Sequence, residues 1–378
     1  SCTRAPTLQV FSSEYPSPFL VMILITPAKA SVQEESMGKE YDFFKDKGLH
    51  NESIDLGFNH KSGLFVNGGY TRNNHGGWQG DLTGREKRWH PKDQALMNGM
   101  FGFQNRNMNV WYRLDFLDEK IFGPNNGSEL QPEKVSDKDF LTKRYTHQLQ
   151  SDWKLDNRLD VHAALSYQDY KRRTRTTESD LSTGEKWLSS AEASQDITQY
   201  KAWIARATVA WNIAPEFSVQ PGVEYQWTQG EGGRIDGTPK VSDLAFFLSA
   251  EYKPWEWLSL RPGVRTFIVA DYDAPIAIPS VLTKFKLTKH MDLRLSYAYG
   301  FRSPTLQELY FSFHNDNHDI DGNPDLKAEY SHNITGSVAY RVLHSEKIHL
   351  TTTLSGFYND FRDKISLAQN VDIPNYNT

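Results

Sequence analysis

The sequence predicts an all-β chain, a transmembrane antiparallel up-and-down β-barrel or part of one, and three observations carry that prediction. Apolar and polar residues alternate along much of the chain, its connections alternate between short and long, and aromatic residues make up 13% of it. Successive side chains of a strand point to opposite faces, so alternation marks a strand with one apolar and one polar side. A membrane barrel with a wet interior needs that pattern, apolar outward and polar inward.

The elements follow in order. Leu159 to Tyr167 and Trp203 to Trp211 alternate loosely. Phe217, Val219, Val223, Tyr225 and Trp227 then oppose Ser218, Gln220, Gly222, Glu224 and Gln226, and Leu244, Phe246, Leu248, Ala250 and Tyr252 oppose Asp243, Ser249 and Glu251. After a looser strand at Trp257 to Ile268, Leu293, Leu295, Tyr297, Tyr299 and Phe301 oppose Asp292, Arg294, Ser296, Ala298, Gly300 and Arg302. Alternation resumes at Glu329 to Arg341 and again where Ile348, Leu350, Leu354 and Tyr358 oppose His349, Thr351, Thr353, Ser355 and Asn359. About 14 strands fit between Ser53 and Phe361, each near the length of a tilted membrane strand. A near-repeat, FSVQPGV at 217–223 and LSLRPGV at 258–264, puts Pro221 and Pro262 inside strands. Proline lacks the N–H a ladder uses, so both are expected at bulges beside Gly222 and Gly263.

The connections separate a barrel from a sandwich. Short turns are expected near 104–106, 155–157, 213–216, 253–256, 288–290 and 342–347, and long polar loops near 73–94, 121–142, 172–196, 228–240 and 303–327. In an up-and-down barrel alternate connections lie at opposite ends, short ones periplasmic and long ones extracellular. Greek-key crossovers would not sort loops this way.

Bulk composition taken alone would suggest a soluble, aromatic-rich β-protein, for example one that binds glycans and folds without detergent. Charged residues are 24% of the chain, mean hydropathy is −0.63, and no apolar run reaches the roughly 18 residues of a membrane helix. Only alternate residues of a barrel strand face lipid, so a barrel keeps such a composition, and 10 Trp and 18 Tyr can supply interfacial girdles. Cys2 is the single cysteine, which excludes an intrachain disulfide and a cysteine metal site. Residues 1–46 stand apart as an atypical N-terminal segment, and 47–378 carry the barrel pattern. Within the former, Phe19 to Thr26 and Ala28-Lys29-Ala30 imitate a signal peptide and its cleavage site, although Glu14 lies upstream; a non-native start or a remnant of a preceding domain is the expected reading.

The most informative stretch is 301–326, FRSPTLQELYFSFHNDNHDIDGNPDL. Pro304 ends one strand, Asn323-Pro324 makes a second break, and a loop bearing His314 and His318 lies between them. Here the chain resembles the TonB-dependent outer-membrane receptors, whose barrels carry an FRAP-like box and an NPDL- or NPNL-like box around an external loop. Phe301, Arg302, Pro304, Asn323, Pro324, Asp325 and Leu326 match, and Ser303 stands in place of the usual alanine.

The resemblance implies about two thirds of a barrel of roughly 22 strands, without its plug domain, in the outer membrane of a Gram-negative bacterium. Such a fragment leaves two unpaired edges in lipid and is expected not to insert stably alone. It further implies a receptor that captures haem or a ferric siderophore in external loops and admits it when energised TonB pulls on the plug. Cobalamin or an oligosaccharide is the alternative cargo. No nucleic acid is implied and no covalent chemistry; an outer-membrane barrel protease or phospholipase would need a nucleophile spaced beside a base, which the sequence does not offer.

In the haem-transporting branch a histidine between the boxes is implicated as an iron ligand, which points to His314 or His318; otherwise both hydrogen-bond their neighbours on a solvated loop. Tyr310, Phe311 and Phe313 would stack on a planar ligand or anchor the loop in the wall. Arg302 would pair with ligand carboxylates or with the plug. Asn317 to Gly322 imitates the start of a calcium loop, but position 12 falls on Ala328, which excludes an EF-hand and leaves a looser calcium site. Lys171, Arg172, Arg173 and Arg175 form a basic run, either solvated or bound to lipopolysaccharide phosphates.

Overall fold

A computed structural model describes residues 25–35, 48–191, 194–269, 274–315, 318–344, 348–367 and 376–377. The chain divides into two compact units: Ser1–Ser151 with Ser166–Ala202 and Gly230–Gly237, and Asp152–Leu165 with Trp203–Gln229 and Thr238–Thr378.

In the first unit β1 (Ile25–Glu35), β2 (Leu49–Asn59), β3 (Leu64–His75), β4 (Lys92–Gln104) and β5 (Met108–Gly123) pair in chain order, each antiparallel to the next. The first of these lies inside the segment 1–46 that the alternation pattern left out. Next come β6 (Lys134–Lys154) and β7 (Leu159–Asp180), and β8 (Lys186–Leu188) folds back antiparallel onto the end of β7. After β9 (Ile197–Ala214), the second unit builds the same kind of meander from β10 (Phe217–Glu231), β11 (Lys240–Trp255), β12 (Leu258–Val269), β13 (Ile278–Lys286) and β14 (Met291–Arg302). A helical turn α1 (Leu306–Tyr310) and a hairpin of β15 (Ser312–Asn315) and β16 (His318–Asp321) interrupt it. Pairing resumes when β17 (Glu329–His344) joins β14 and β18 (His349–Arg362) joins β17, followed by the short parallel pair β19 (Lys364–Ile365) and β20 (Tyr376–Asn377). The fold is all-β and antiparallel in its long strands, as the alternation predicts.

Cross-strand rows carry the pattern from one strand to the next. In the first unit Ile54, Tyr70, Met97 and Phe116 follow one another across β2 to β5, and the adjacent row is Asp55, Gly69, Asn98 and Asp115. Val281, Tyr297, Ile334 and Tyr358 form such an apolar row in the second unit. Ile54, Met97, Ile334, Leu354 and Tyr358 remain largely exposed, which is the arrangement of a wall whose apolar side meets something other than water.

The polar side is bonded within itself. Glu224, 2% exposed, accepts from Arg206 and from Arg265 Nη2 at 2.5 Å, while Arg265 also lies 4.6 Å from the Phe267 ring centre. Asp292 likewise holds Arg341 and Lys284, at 3.1 and 3.5 Å. Burial of Glu224 would be costly without both guanidinium groups.

Two expectations are corrected. Pro221 and Pro262 make no bulge where their pairing is continuous: the register of Pro221 against β11 and of Pro262 against β13 runs on without a shift. The following glycine explains part of this at Gly222, where the Phe247 ring lies so close that a Cβ would collide with it. The loops expected at 121–142 and 172–196 are shorter than predicted, because β6 begins at Lys134 and β7 runs to Asp180. The end of β7, RRTRTTESD, is polar throughout, and in the start of β6 only Val135, Phe140 and Leu141 are apolar, at a spacing that shows no alternation. The turn expected at 342–347 lies partly outside the described residues, and the other short turns and long loops fall near where expected.

Candidate functional site

β14 ends at Arg302 and β17 begins at Glu329, the limits that Pro304 and Pro324 impose. Arg302 and Glu329 are register partners, so the loop 303–328 leaves and rejoins the sheet at one point. Arg302 closes that point. Its Nε donates to Glu329 Oε2 at 2.7 Å, and Nη1 and Nη2 donate to Glu308 Oε2 and Oε1 at 2.9 and 3.1 Å. Glu329 also accepts from the Ile365 N–H at 2.7 Å. Guanidinium and carboxylate meet here fork to fork, an arrangement that fixes orientation as well as charge.

Thr305 starts α1 with a reciprocal cap. The Glu308 N–H donates to the Thr305 hydroxyl at 3.2 Å, and the Thr305 N–H donates back to Glu308 Oε2 at 2.7 Å. Burial pushes the Glu308 carboxyl up, but Arg302 and Thr305 more than offset this, and it titrates below the ordinary carboxylate range.

A five-residue helix cannot stand by itself. Leu306 and Leu309 are buried, as are Leu326 and Ala328 on the returning limb. These are four of the eight buried apolar side chains among the described residues, so the loop has a small core of its own. The limbs are joined by backbone, Gly322 N–H to Phe311 O at 2.6 Å and Asn323 N–H to Glu308 O at 3.0 Å. A Cβ on Gly322 would stand 2.7 to 2.8 Å from backbone atoms of Phe311, Glu308 and Leu309, so only glycine fits. Asn323 then takes the Asp325 N–H on its side-chain oxygen at 2.9 Å while its carbonyl accepts from Leu326 at 3.3 Å. The second box is thus an Asx-type turn with proline at its second position that delivers Leu326 into the core.

The hairpin of β15 and β16 projects from this base, with Phe313 opposite Ile320, His314 opposite Asp319 and Asn315 opposite His318. Residues 316–317 and the side chains of His314 and His318 lie outside the described residues, as do Asn317 and the Asp319 side chain of the calcium-like run. Among the described residues no group of three or more His, Cys, Asp and Glu gathers for a metal. Tyr310 closes α1, and the Phe311 and Phe313 rings are 6.4 Å apart at the root of the hairpin. Phe301 packs in the wall, 4.9 Å from Phe267 and 6.1 Å from Tyr330.

Sequence reasoning overlooked Glu308, Glu329 and Gly322. A T-x-x-E signature at Thr305 to Glu308 was available for the first; nothing local announces the pairing of Arg302 with Glu329, which lies 27 residues away. In the basic run, Arg172 stacks 4.4 Å from the Phe140 ring and Arg175 binds Asp139.

Residues 220–378, which contain this loop, match the family model described as "TonB dependent receptor-like, beta-barrel". That segment is similar to the barrel part of this receptor family. Among curated relatives, the Hemoglobin and hemoglobin-haptoglobin-binding protein C of Haemophilus influenzae is 38% identical over 82 residues, 22% of this chain and 7% of the relative. The Hemoglobin and hemoglobin-haptoglobin-binding protein of Haemophilus ducreyi is 38% identical over 78 residues, 21% of this chain and 8% of that one. The match thus spans a small part of those relatives. Solved receptor structures share the fold: the siderophore receptor PirA of Pseudomonas aeruginosa superposes with a TM-score of 0.62 at 13% identity, over 84% of this chain and 53% of its own. The hemophore receptor HasR of Serratia marcescens gives 0.61 at 13% identity, over 83% and 53%.

Proposed function

We propose that the chain is wall and ligand loop of an outer-membrane receptor that captures an iron chelate for TonB-energised uptake in a Gram-negative bacterium. The observation that carries this reading is the loop 303–328, a hairpin bearing two histidines held on a pre-formed base, inside the stretch that matches the receptor family. Haem is favoured over a ferric siderophore, cobalamin or an oligosaccharide because of those histidines and because the sequence relatives are haemoglobin-binding proteins.

In this reading a neutral imidazole of His314 or His318 ligates the haem iron, and Tyr310 and Phe313 flank the porphyrin. Arg302 is a positioning residue: its guanidinium already serves Glu308 and Glu329 and keeps the base of the loop in place. Binding and passage are the whole task, with no bond made or broken in the cargo. TonB acts through a plug domain, lipid covers the apolar side, and Lys171 and Arg173 are the members of the basic run left to meet lipopolysaccharide phosphates. The reading needs no calcium.

Titrating haem into the detergent-solubilised receptor that carries this chain, while following the Soret band, tests it. A shift that disappears in His314→Ala or in His318→Ala is the expected result. A wild-type receptor that leaves the Soret band unmoved, yet quenches on adding a ferric siderophore, would reassign the cargo.

A further inference from the structure

A cavity of about 1230 Å³ opens at the short-turn end of the second unit. It lies where three turns meet: Pro215 and Glu216 after β9, Trp255 to Trp257 between β11 and β12, and the turn between β13 and β14. The strands bring its polar lining together. Arg261 of β12 stands opposite Leu282 of β13, and Lys284 of β13 opposite Arg294 of β14. Arg294 shares a face of β14 with Arg302, eight residues further on, so cavity and loop base lie on the same polar side, about 27 Å apart along the strand. Between them that side is lined by small groups. Ser249, Gly263, Ser280, Ala298 and Asn333 follow one another in register from β11 to β17. A bulky ligand moving along the wall meets no large side chain in that row.

Five cations line the cavity, Lys253, Arg261, Lys284, Lys286 and Arg294, against three carboxylates. Of these carboxylates Glu251 is taken by Lys253 and Arg261, each at 2.9 Å, and Glu216 and Glu256 sit in the turns. Lys284 leans on Asp292, which Arg341 also holds. Among the described residues the side chains of Lys286 and Arg294 make no ion pair. Lys284 and Arg294 nevertheless stand directly opposite, and like charges so placed cost stability until an anion joins them. Beside the cations the Trp255 and Trp257 rings stack, with centres 5.2 Å apart and planes within 2° of parallel, and both remain about half-exposed. Aromatic faces next to unpaired cations suit a flat ring system that carries acidic groups. A bare inorganic anion would leave the rings and most of the volume unused, since pockets of roughly 300–1,000 Å³ already hold drug-sized ligands.

We infer that this cavity is a second station for the cargo, at the opposite end of the wall from the 303–328 loop. The ring of the cargo lies against the Trp255–Trp257 pair, and its acidic groups meet Lys286 and Arg294. The inference rests on the receptor reading above and adds a site to it. The probes are haem, which carries two carboxylates, and its dimethyl ester, which carries none. Equilibrium dialysis against the full receptor in detergent counts bound haem while the Soret band is read, in wild type, in His314→Ala, in His318→Ala and in Lys286→Gln with Arg294→Gln. Wild type should hold two haems, and the histidine variant that loses the Soret shift should keep one. The lysine–arginine variant should keep the Soret shift and bind its second haem about tenfold or more weakly, as should wild type offered the ester. A second haem held equally well by the lysine–arginine variant overturns the inference. A wild type that shifts the Soret band but holds one haem overturns it too and spares the chelate reading; one that binds no haem sinks both.

Discussion

Arg302 serves two carboxylates with three hydrogen bonds, and both carboxylates have further partners in Thr305 and Ile365. Removing it leaves two negative groups facing each other without a cation. Because these side chains are partly exposed, Arg302→Ala should weaken the base by no more than about 1–2 kcal/mol. Limited proteolysis should then cut within 303–328 faster, while the amount of receptor in the membrane stays the same. The pH dependence follows from Glu308. Its folded carboxyl titrates below the ordinary carboxylate value of about 4.3, so the stability it adds is fully present above that value and is lost as pH falls through the folded one. Protection of the loop should be flat from neutral pH to about 5 and should fall below about 4; Glu308→Gln should be less protected throughout and retain only the part of that step that Glu329, the second carboxylate bonded to Arg302, contributes.

The 303–328 element is two parts of different firmness, a core-bearing base and a hairpin that projects from it. Hydrogen exchange should show the amides of Gly322 and Asn323 protected, since each closes a bond between limbs. Gly322→Ala drives a Cβ into backbone on three sides and should abolish that protection, whereas Thr305→Ala removes one cap and should cost about 1 kcal/mol. The limits of this element were legible in the sequence, because alternation stops near Pro304 and resumes after Asn323-Pro324; proline alone does not decide it, since the ladder runs through Pro221 and Pro262. Its interior was not. A five-residue helix shows no period, and the buried Leu306, Leu309, Leu326 and Ala328 come from two limbs that only the folded loop brings together. The ends of β6 and β7 escaped for a related reason: their buried positions are mostly polar, Asp139, Thr142, Thr176 and Ser179, so hydrophobic alternation does not mark them.

Across the molecule, one side of each meander is apolar and exposed and the other is polar and bonded to itself. Alternation made that legible from Phe217 onward, while the glutamate–arginine pairs that line the polar side depend on cross-strand register and could not be read. If the apolar side faces lipid, arginine at Leu354 of β18, 77% exposed, should cost about 2–4 kcal/mol of stability in bilayers. The same change at the neighbouring Ser355 should be tolerated. Resistance of the reconstituted receptor to unfolding by urea would separate the two, and equal sensitivity would place the apolar side elsewhere.

Uptake itself tests the central claim most directly. Iron-starved cells that lack other haem receptors would be supplied with haem as the only iron source, with and without this receptor and with and without TonB. The account predicts growth only when receptor and TonB are both present, and its loss in whichever of His314→Ala and His318→Ala removes the Soret shift. Growth that ignores the receptor, or that persists without TonB, would contradict it.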